Sequence, residues 1–321
     1  MKTFSWLIKR EFWEHRGSFF WAPVITACVM LALNLMGIIT GEVFLRGHPS
    51  VMVDGTHLDM IGHYLTAEQL RQVGAGLDMS MLSVTGVLST IMAIVVFFYC
   101  LGALYDDRRD RSILFWKSLP ISDRDTVLSK VISATVLVPV ITIVVGILAG
   151  LSMLVMVAIT ATFHGANLWT MLWTAPHPFQ MIAHLLAMIP LIFLWALPTI
   201  GWLLLCSAAA RSKPFLWALA VPVGAGIIVS WFSLMGVFNL SSTWFWQHIV
   251  ARMLLSVFPG GWMAYDPSIF QHTESPMALY DSLSLGHMYA SLVQPEFWVG
   301  AIAGIAMITL AIFMRGHRDD S

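Results

Sequence analysis

Six ionisable residues stand in a row, Asp106, Asp107, Arg108, Arg109, Asp110 and Arg111, in a chain in which only 11% of residues are charged. An apolar and aromatic patch follows directly: Ile113, Leu114, Phe115, Trp116 and Leu119, closed by Pro120. Alternating charge beside clustered aromatics suits docking, in which the rings fill a groove on a partner and the charges fix register. The same residues also allow a helix folded down on the membrane surface of its own chain. Pro120 ends any helix before it. Ser122 and Asp125 have the spacing of an N-terminal cap for the next helix.

Other chemistry is poorly represented. A phosphate-binding loop of the P-loop kind needs G-x-x-x-x-G-K-[ST], and the chain has no Gly-Lys dipeptide. Neither H-E-x-x-H nor G-x-S-x-G occurs, so a zincin-type centre and a nucleophile elbow are not expected. The chain is therefore read as a non-enzyme with no catalytic residue. Eleven histidines and 20 methionines raise the prospect of metal handling, yet no histidine pair has compact ligand spacing on a clear helix, and no metal ligand is assigned. The residues also leave room for a membrane-embedded enzyme acting on lipid or peptide, or for a scaffold or sensor subunit with no pathway. Cys28, Cys100 and Cys206 each sit inside an apolar run and read as small space-fillers.

The elements that must position the charged run are membrane helices. With 321 residues, 58% of them hydrophobic, the chain lacks the charged surface of a soluble fold, which runs near 25% charged. A crossing needs about 20 mostly apolar residues, and six stretches qualify: 19–39, 81–104, 127–160, 184–208, 215–238 and 297–314. The third is longer than a bilayer requires. Residues 1–17 read as an amphipathic interfacial helix, with Phe4, Leu7, Ile8 and Phe12 at helical spacing and Trp6 and Trp13 suited to the headgroup region. Membrane lipid is thus one expected partner, and nucleic acid is not.

Basic residues fix the expected orientation. Of 17 Lys and Arg, four precede the first span, six lie around the connection between the second and third, two separate the fourth and fifth, and two follow the sixth. The opposite side holds only Arg46, Arg71 and Arg252. Basic residues favour the cytoplasmic face, so both termini are expected in the cytoplasm, with 105–126 as the sizeable cytoplasmic loop. Of the outer connections, 40–80 is polar and 64–73 within it suggests a short helix. Residues 239–296 mix apolar stretches with Pro259, Gly260 and Gly261, which leaves a re-entrant helix and a plain surface loop both open. Pro139, Pro190, Pro198 and Pro222 fall inside spans and permit kinks. Ionisable residues, which would mark an ion path, are essentially missing from the central spans.

The stretch 105–130 resembles the loop between the second and third helices of ABC-2 type transporter permeases. In that family an acidic–basic pair precedes a Gly-Thr-Leu-like helix start and a Leu/Pro/small-residue ending. Asp107 and Arg108 match the pair, Ser112 and Ile113 the start, and Ser118, Leu119, Pro120, Ile121 and Ser122 the ending. Arg111 stands where Gly is usual, and Phe115-Trp116-Lys117 replaces an aliphatic run. The resemblance implies an all-α integral membrane fold: one transmembrane domain over 1–321, with an interfacial helix and a cytoplasmic coupling helix. It implies a multi-pass permease subunit of an ABC exporter in the bacterial inner membrane, paired with a second copy of itself or a paralogous permease. Two copies of a separate ABC ATPase subunit would carry ATP and Mg and dock through Asp107, Arg108, Arg109, Asp110, Arg111, Ile113, Phe115, Trp116, Leu119 and Pro120. The cargo would be hydrophobic or amphipathic: a lipid, drug or peptide.

Overall fold

A computed structural model describes residues 2–47, 52–53, 56–57, 67–110, 121–163, 178–236, 241–261 and 285–318. Among these the chain is helical, apart from turns and a hairpin of β1 (Met52–Val53) and β2 (Thr56–His57). Six helices are long and apolar enough to cross a membrane: Gly17–Phe44, Gly74–Arg109, Asp123–Phe163, Pro178–Ala209, Pro214–Leu234 and Pro295–His317. Each overlaps one of the six stretches expected from hydropathy, as a multi-pass membrane protein requires.

The N-terminal helix α1 (Lys2–Glu14) joins the first span α2 (Ala22–Gly47) through a wide π turn at Gly17–Trp21. The second span α3 runs unbroken from Ala67 to Gly102. The short helix expected at 64–73 is therefore not separate; from Ala67 onward it is the first part of α3. No proline interrupts this stretch, so nothing in the backbone stops the helix. Asp78, expected in a polar outer loop, lies buried on α3. A short helix α4 (Tyr105–Arg109) follows, with acids in its first turn and arginines in its last, the order that suits a helix dipole.

The third span α5 (Asp123–Phe163) has 41 residues and is about 60 Å long at 1.5 Å per residue. Ser122 caps it as expected, its Oγ accepting from Asp125 N at 3.1 Å. A π segment at Ser133–Leu137 adjoins Pro139, which cannot donate to the helical ladder, and such local repairs are how helices absorb a missing donor. The fourth span is two helices, α6 (Pro178–Ala187) and α7 (Ile189–Ala209), broken at Met188 just before Pro190. The fifth, α8 (Pro214–Leu234), stops short of residue 238 because Gly236 turns left-handed at φ 67°, a common helix ending. Helix α9 (242–255) is built from Ser242–Phe245, a π segment Trp246–Ala251, and Arg252–Leu255. Helix α10 (Leu285–Ala290) and a 3-10 turn precede the sixth span, α11 (Pro295–Arg318).

Helix α7 is the centre of the bundle. In its span, 61% of the apolar window is buried, against 11% in the first span and 17% in the fifth, so α2 and α8 lie at the periphery. Ile200, Leu203 and Leu204 of α7 are fully buried with Cys100 of α3, Leu104 just before α4, Val127 of α5 and Ala311 of α11. Helix α7 meets α11 backbone to backbone: a Cβ placed on Gly201 would lie 2.5 Å from Gly304 O. Small residues let membrane helices approach this closely.

The stretch α9 does not span. It doubles back along α8 toward the middle of α7. Ser242 Oγ is 2.7 Å from Ser230 Oγ, Trp246 Nε1 donates to Ser230 Oγ at 2.9 Å, and Gly226 leaves room for the Trp246 ring. Further along, Thr199 Oγ1 of α7 donates to Arg252 O and accepts from Ser256 N, both at 2.9 Å. The described part of 239–296 thus packs against α7 and α8.

Candidate functional site: a charge node at one end of the bundle

Five helices deliver ionisable side chains to one place. Lys130 Nζ of α5 lies 3.2 Å from Glu11 Oε1 of α1 and 3.6 Å from Asp107 Oδ2 of α4. Arg315 of α11 bridges onward, with Nη1 3.2 Å from Asp107 Oδ2 and Nε donating to Asp123 Oδ1 at 3.1 Å. Tyr99 of α3 donates its hydroxyl proton to Glu11 Oε2 at 2.7 Å. Arg10 lies 3.9 Å from Glu11 and closer, at 3.3 Å, to Glu14.

Burial sets the energetics. Glu11 is 1% exposed, Lys130 3% and Arg315 5%. Ions this far from water are tolerated only when opposite charges and hydrogen bonds replace their hydration. Each carboxylate here meets a cation, and Lys130 and Arg315 each meet two carboxylates. The node therefore holds α1, the end of the second span, the start of the third and the end of the sixth as one unit. It also places the N-terminal helix and the end of the sixth span at the same end of the bundle.

Arg108 performs a related task on α7. Its Nη2 donates to the carbonyls of Ser207 and Ala210, the latter at 3.1 Å, occupying oxygens that the end of a helix leaves without intrahelical partners. In return, Ser207 Oγ accepts from Leu104 N at 3.0 Å and Tyr105 N at 2.9 Å, where the second span turns into α4. Replacing Ser207 with Ala should destabilise this corner by about 1–3 kcal/mol, because buried backbone donors lose their acceptor. A thermal melt in detergent micelles would read it; an unchanged midpoint would show that the corner does not depend on the hydroxyl.

The residues expected to dock a partner thus divide. Asp107 and Arg108 face inward and serve the bundle. Arg109 and Asp110 are exposed beside them. Arg111, Ile113, Phe115, Trp116, Leu119 and Pro120 lie outside the described residues. The interfacial helix also divides. Trp6 and Trp13 are exposed, with Lys9 Nζ 4.8 Å from the Trp6 ring centre and Arg16 5.7 Å from that of Trp13. Leu7 is buried and Phe4, Ile8 and Phe12 are half-buried, on the side that carries Glu11. The apolar face expected to meet lipid is therefore turned partly onto the chain's own third span, because Glu11 must reach Lys130.

Sequence reasoning missed Glu11, Tyr99, Lys130, Ser207 and Arg315 as parts of one site. The signal was present for three of them. Glu11 stands four residues after Leu7 on the apolar side of an amphipathic helix, Lys130 interrupts the apolar run at the start of the third span, and Arg315 does the same at the end of the sixth. A charge at an apolar position is the sign of a buried partner.

A second buried cation lies away from the node. Arg252 of α9 is 6% exposed, its guanidinium carbon 3.5 Å from the Trp195 ring centre, with Nη2 donating to Phe297 O at 3.4 Å. Among the described residues, no three His, Cys, Asp or Glu side chains converge where they could hold a metal ion. Of the aromatics in the fourth and fifth spans, Trp195 is buried, Trp202 is held by Ala218 O, and Trp217, Trp231 and Phe232 are exposed. Comparison with family models, with characterised proteins and with solved structures finds no match.

Proposed function

We propose that the chain is the membrane-spanning subunit of an ATP-driven ABC exporter of the ABC-2 type, with both termini in the cytoplasm of a bacterial cell and ATP hydrolysed by a separate subunit. The observation that supports this reading is the charge node. The expected docking segment lies in the sequence between Asp110 and Ser122, and the described residues on both of its flanks are tied to the node, through Asp107 on one side and Asp123 on the other. A push delivered to that segment would reach the second, third and sixth spans together. Such a connection is what coupling to an external motor requires: a contiguous set of contacts linking the site of force to the elements that move. The pathway would form between this chain and a second copy or a paralogue, and its cargo would be hydrophobic or amphipathic.

Because Asp107 and Arg108 serve the fold, the test should use their exposed neighbours. Arg109→Glu with Asp110→Arg should reduce co-purification of the separately encoded ATPase about tenfold or more, as expected when charges that set register at an interface are reversed. Elution of the variant on size exclusion should be unchanged. An ATPase that still binds and is still stimulated by this variant would remove the docking assignment.

A further inference from the structure

At the end of the bundle that carries the charge node, α7, α8 and α11 enclose a groove of about 560 Å³. Its walls are Trp202, Leu205, Trp217, Val221, Leu310 and Met314, and Arg211 and Ser212 of the turn between α7 and α8 line it as well. Lys213, exposed and with a left-handed backbone at φ 49°, follows directly and starts α8. No acidic side chain lines the groove.

From this we infer a binding site for one anionic phospholipid, drawn from the leaflet on the side of the two termini. The argument is one of complementarity along the length of the groove. Its apolar wall lies between a peripheral span and the bundle's centre, where only an acyl chain would be available to fill it. The cationic turn stands where that lipid's phosphate would lie, and juxtamembrane Lys and Arg attract anionic headgroups. Arg211 supplies a planar donor fork suited to phosphate oxygens, and Lys213 adds a second charge. Trp202 is fixed by donating its Nε1 to Ala218 O at 3.0 Å, so one wall is set before any lipid arrives. The inference depends on the six-span membrane fold and not on the exporter reading.

Native mass spectrometry of the detergent-solubilised full chain, with palmitoyl-oleoyl phosphatidylglycerol or phosphatidylcholine added, tests it. Phosphatidylglycerol should be retained about tenfold or more over phosphatidylcholine. Arg211→Ala with Lys213→Ala should erase that preference. Val221→Trp, a change at an exposed groove position, should reduce retention of both lipids by filling the space for the chain. Equal retention of the two lipids by the wild-type chain would overturn the inference. So would a preference that survives loss of both cations, retention that ignores Val221→Trp, or displacement of the lipid by inorganic phosphate alone, which would mark a small-anion site. All the substituted positions are surface-exposed, and unchanged size-exclusion profiles would establish that the variants fold.

Discussion

Replacing Lys130 with methionine is expected to release the N-terminal helix and lower stability by about 3–5 kcal/mol, the usual cost of removing one partner from a buried ion pair. The loss comes mainly from what remains. Glu11 and Asp107 would stay buried without the ammonium that lies 3.2 and 3.6 Å from them, and a lone buried carboxylate must either take up a proton or leave for water. Asp107 keeps Arg315, 3.2 Å away. Glu11 would be left chiefly with the Tyr99 hydroxyl and the more distant Arg10. The detachment should therefore begin at α1. Two measurements report it: the thermal midpoint in detergent micelles, and the rate of tryptic cleavage at Lys9 and Arg10. Glu11→Gln keeps an acceptor for Tyr99 and removes the charge, so the double variant Glu11→Gln/Lys130→Met should be milder than the two single losses added together. A Lys130→Met protein that melts with the wild type and resists trypsin would mean that the node does not hold α1.

A comparable loss is expected at the crossing of α7 and α11. A Cβ on Gly304 would stand 2.5 Å from the carbonyl carbon and oxygen of Leu197 and 2.8 Å from Pro198 N. All three are backbone atoms, so no side-chain rotation relieves the clash. Gly304→Ala should cost at least the ~1–3 kcal/mol typical of overpacking, and Gly304→Leu should prevent the two spans from meeting. Fluorescence-detected size exclusion should show a reduced monodisperse peak for Ala and almost none for Leu. Gly224 of α8 provides the control, since a Cβ there meets nothing within 4 Å. If Gly304→Ala elutes like Gly224→Ala, the two backbones do not meet at this crossing.

The six spans were readable because each is a long apolar run, and the bilayer imposes that length on any helix that crosses it. The cap at Ser122 was also legible from a local residue pattern, whereas four prolines that permit kinks did not single out Met188 as the break. What the sequence concealed is which charges face one another. Glu11 and Lys130 are more than a hundred positions apart, and Asp107 and Arg315 more than two hundred, so no local pattern links them. Asp107 and Arg108 illustrate the difficulty most directly. Within a run of six charges, nothing local separates the two that turn inward from Arg109 and Asp110, which turn outward. That choice is made by Arg315 and by the carbonyl end of α7, and both come from later in the chain.

The surroundings of Arg252 bear on the order in which the protein can be made. Helix α9 comprises segments of four, six and four residues, about 21 Å in all, too short to cross a bilayer unaided. Its arginine rests on Trp195, synthesised earlier, and on Phe297 and Gly300, synthesised later. While a nascent chain ends before residue 297, half of that socket does not exist, and burying a guanidinium without its partners is costly. The socket of Arg252 is therefore complete only once the last span is in place. Arg252 of α9 can thus be fully seated only after α11 is made, in reverse of chain order.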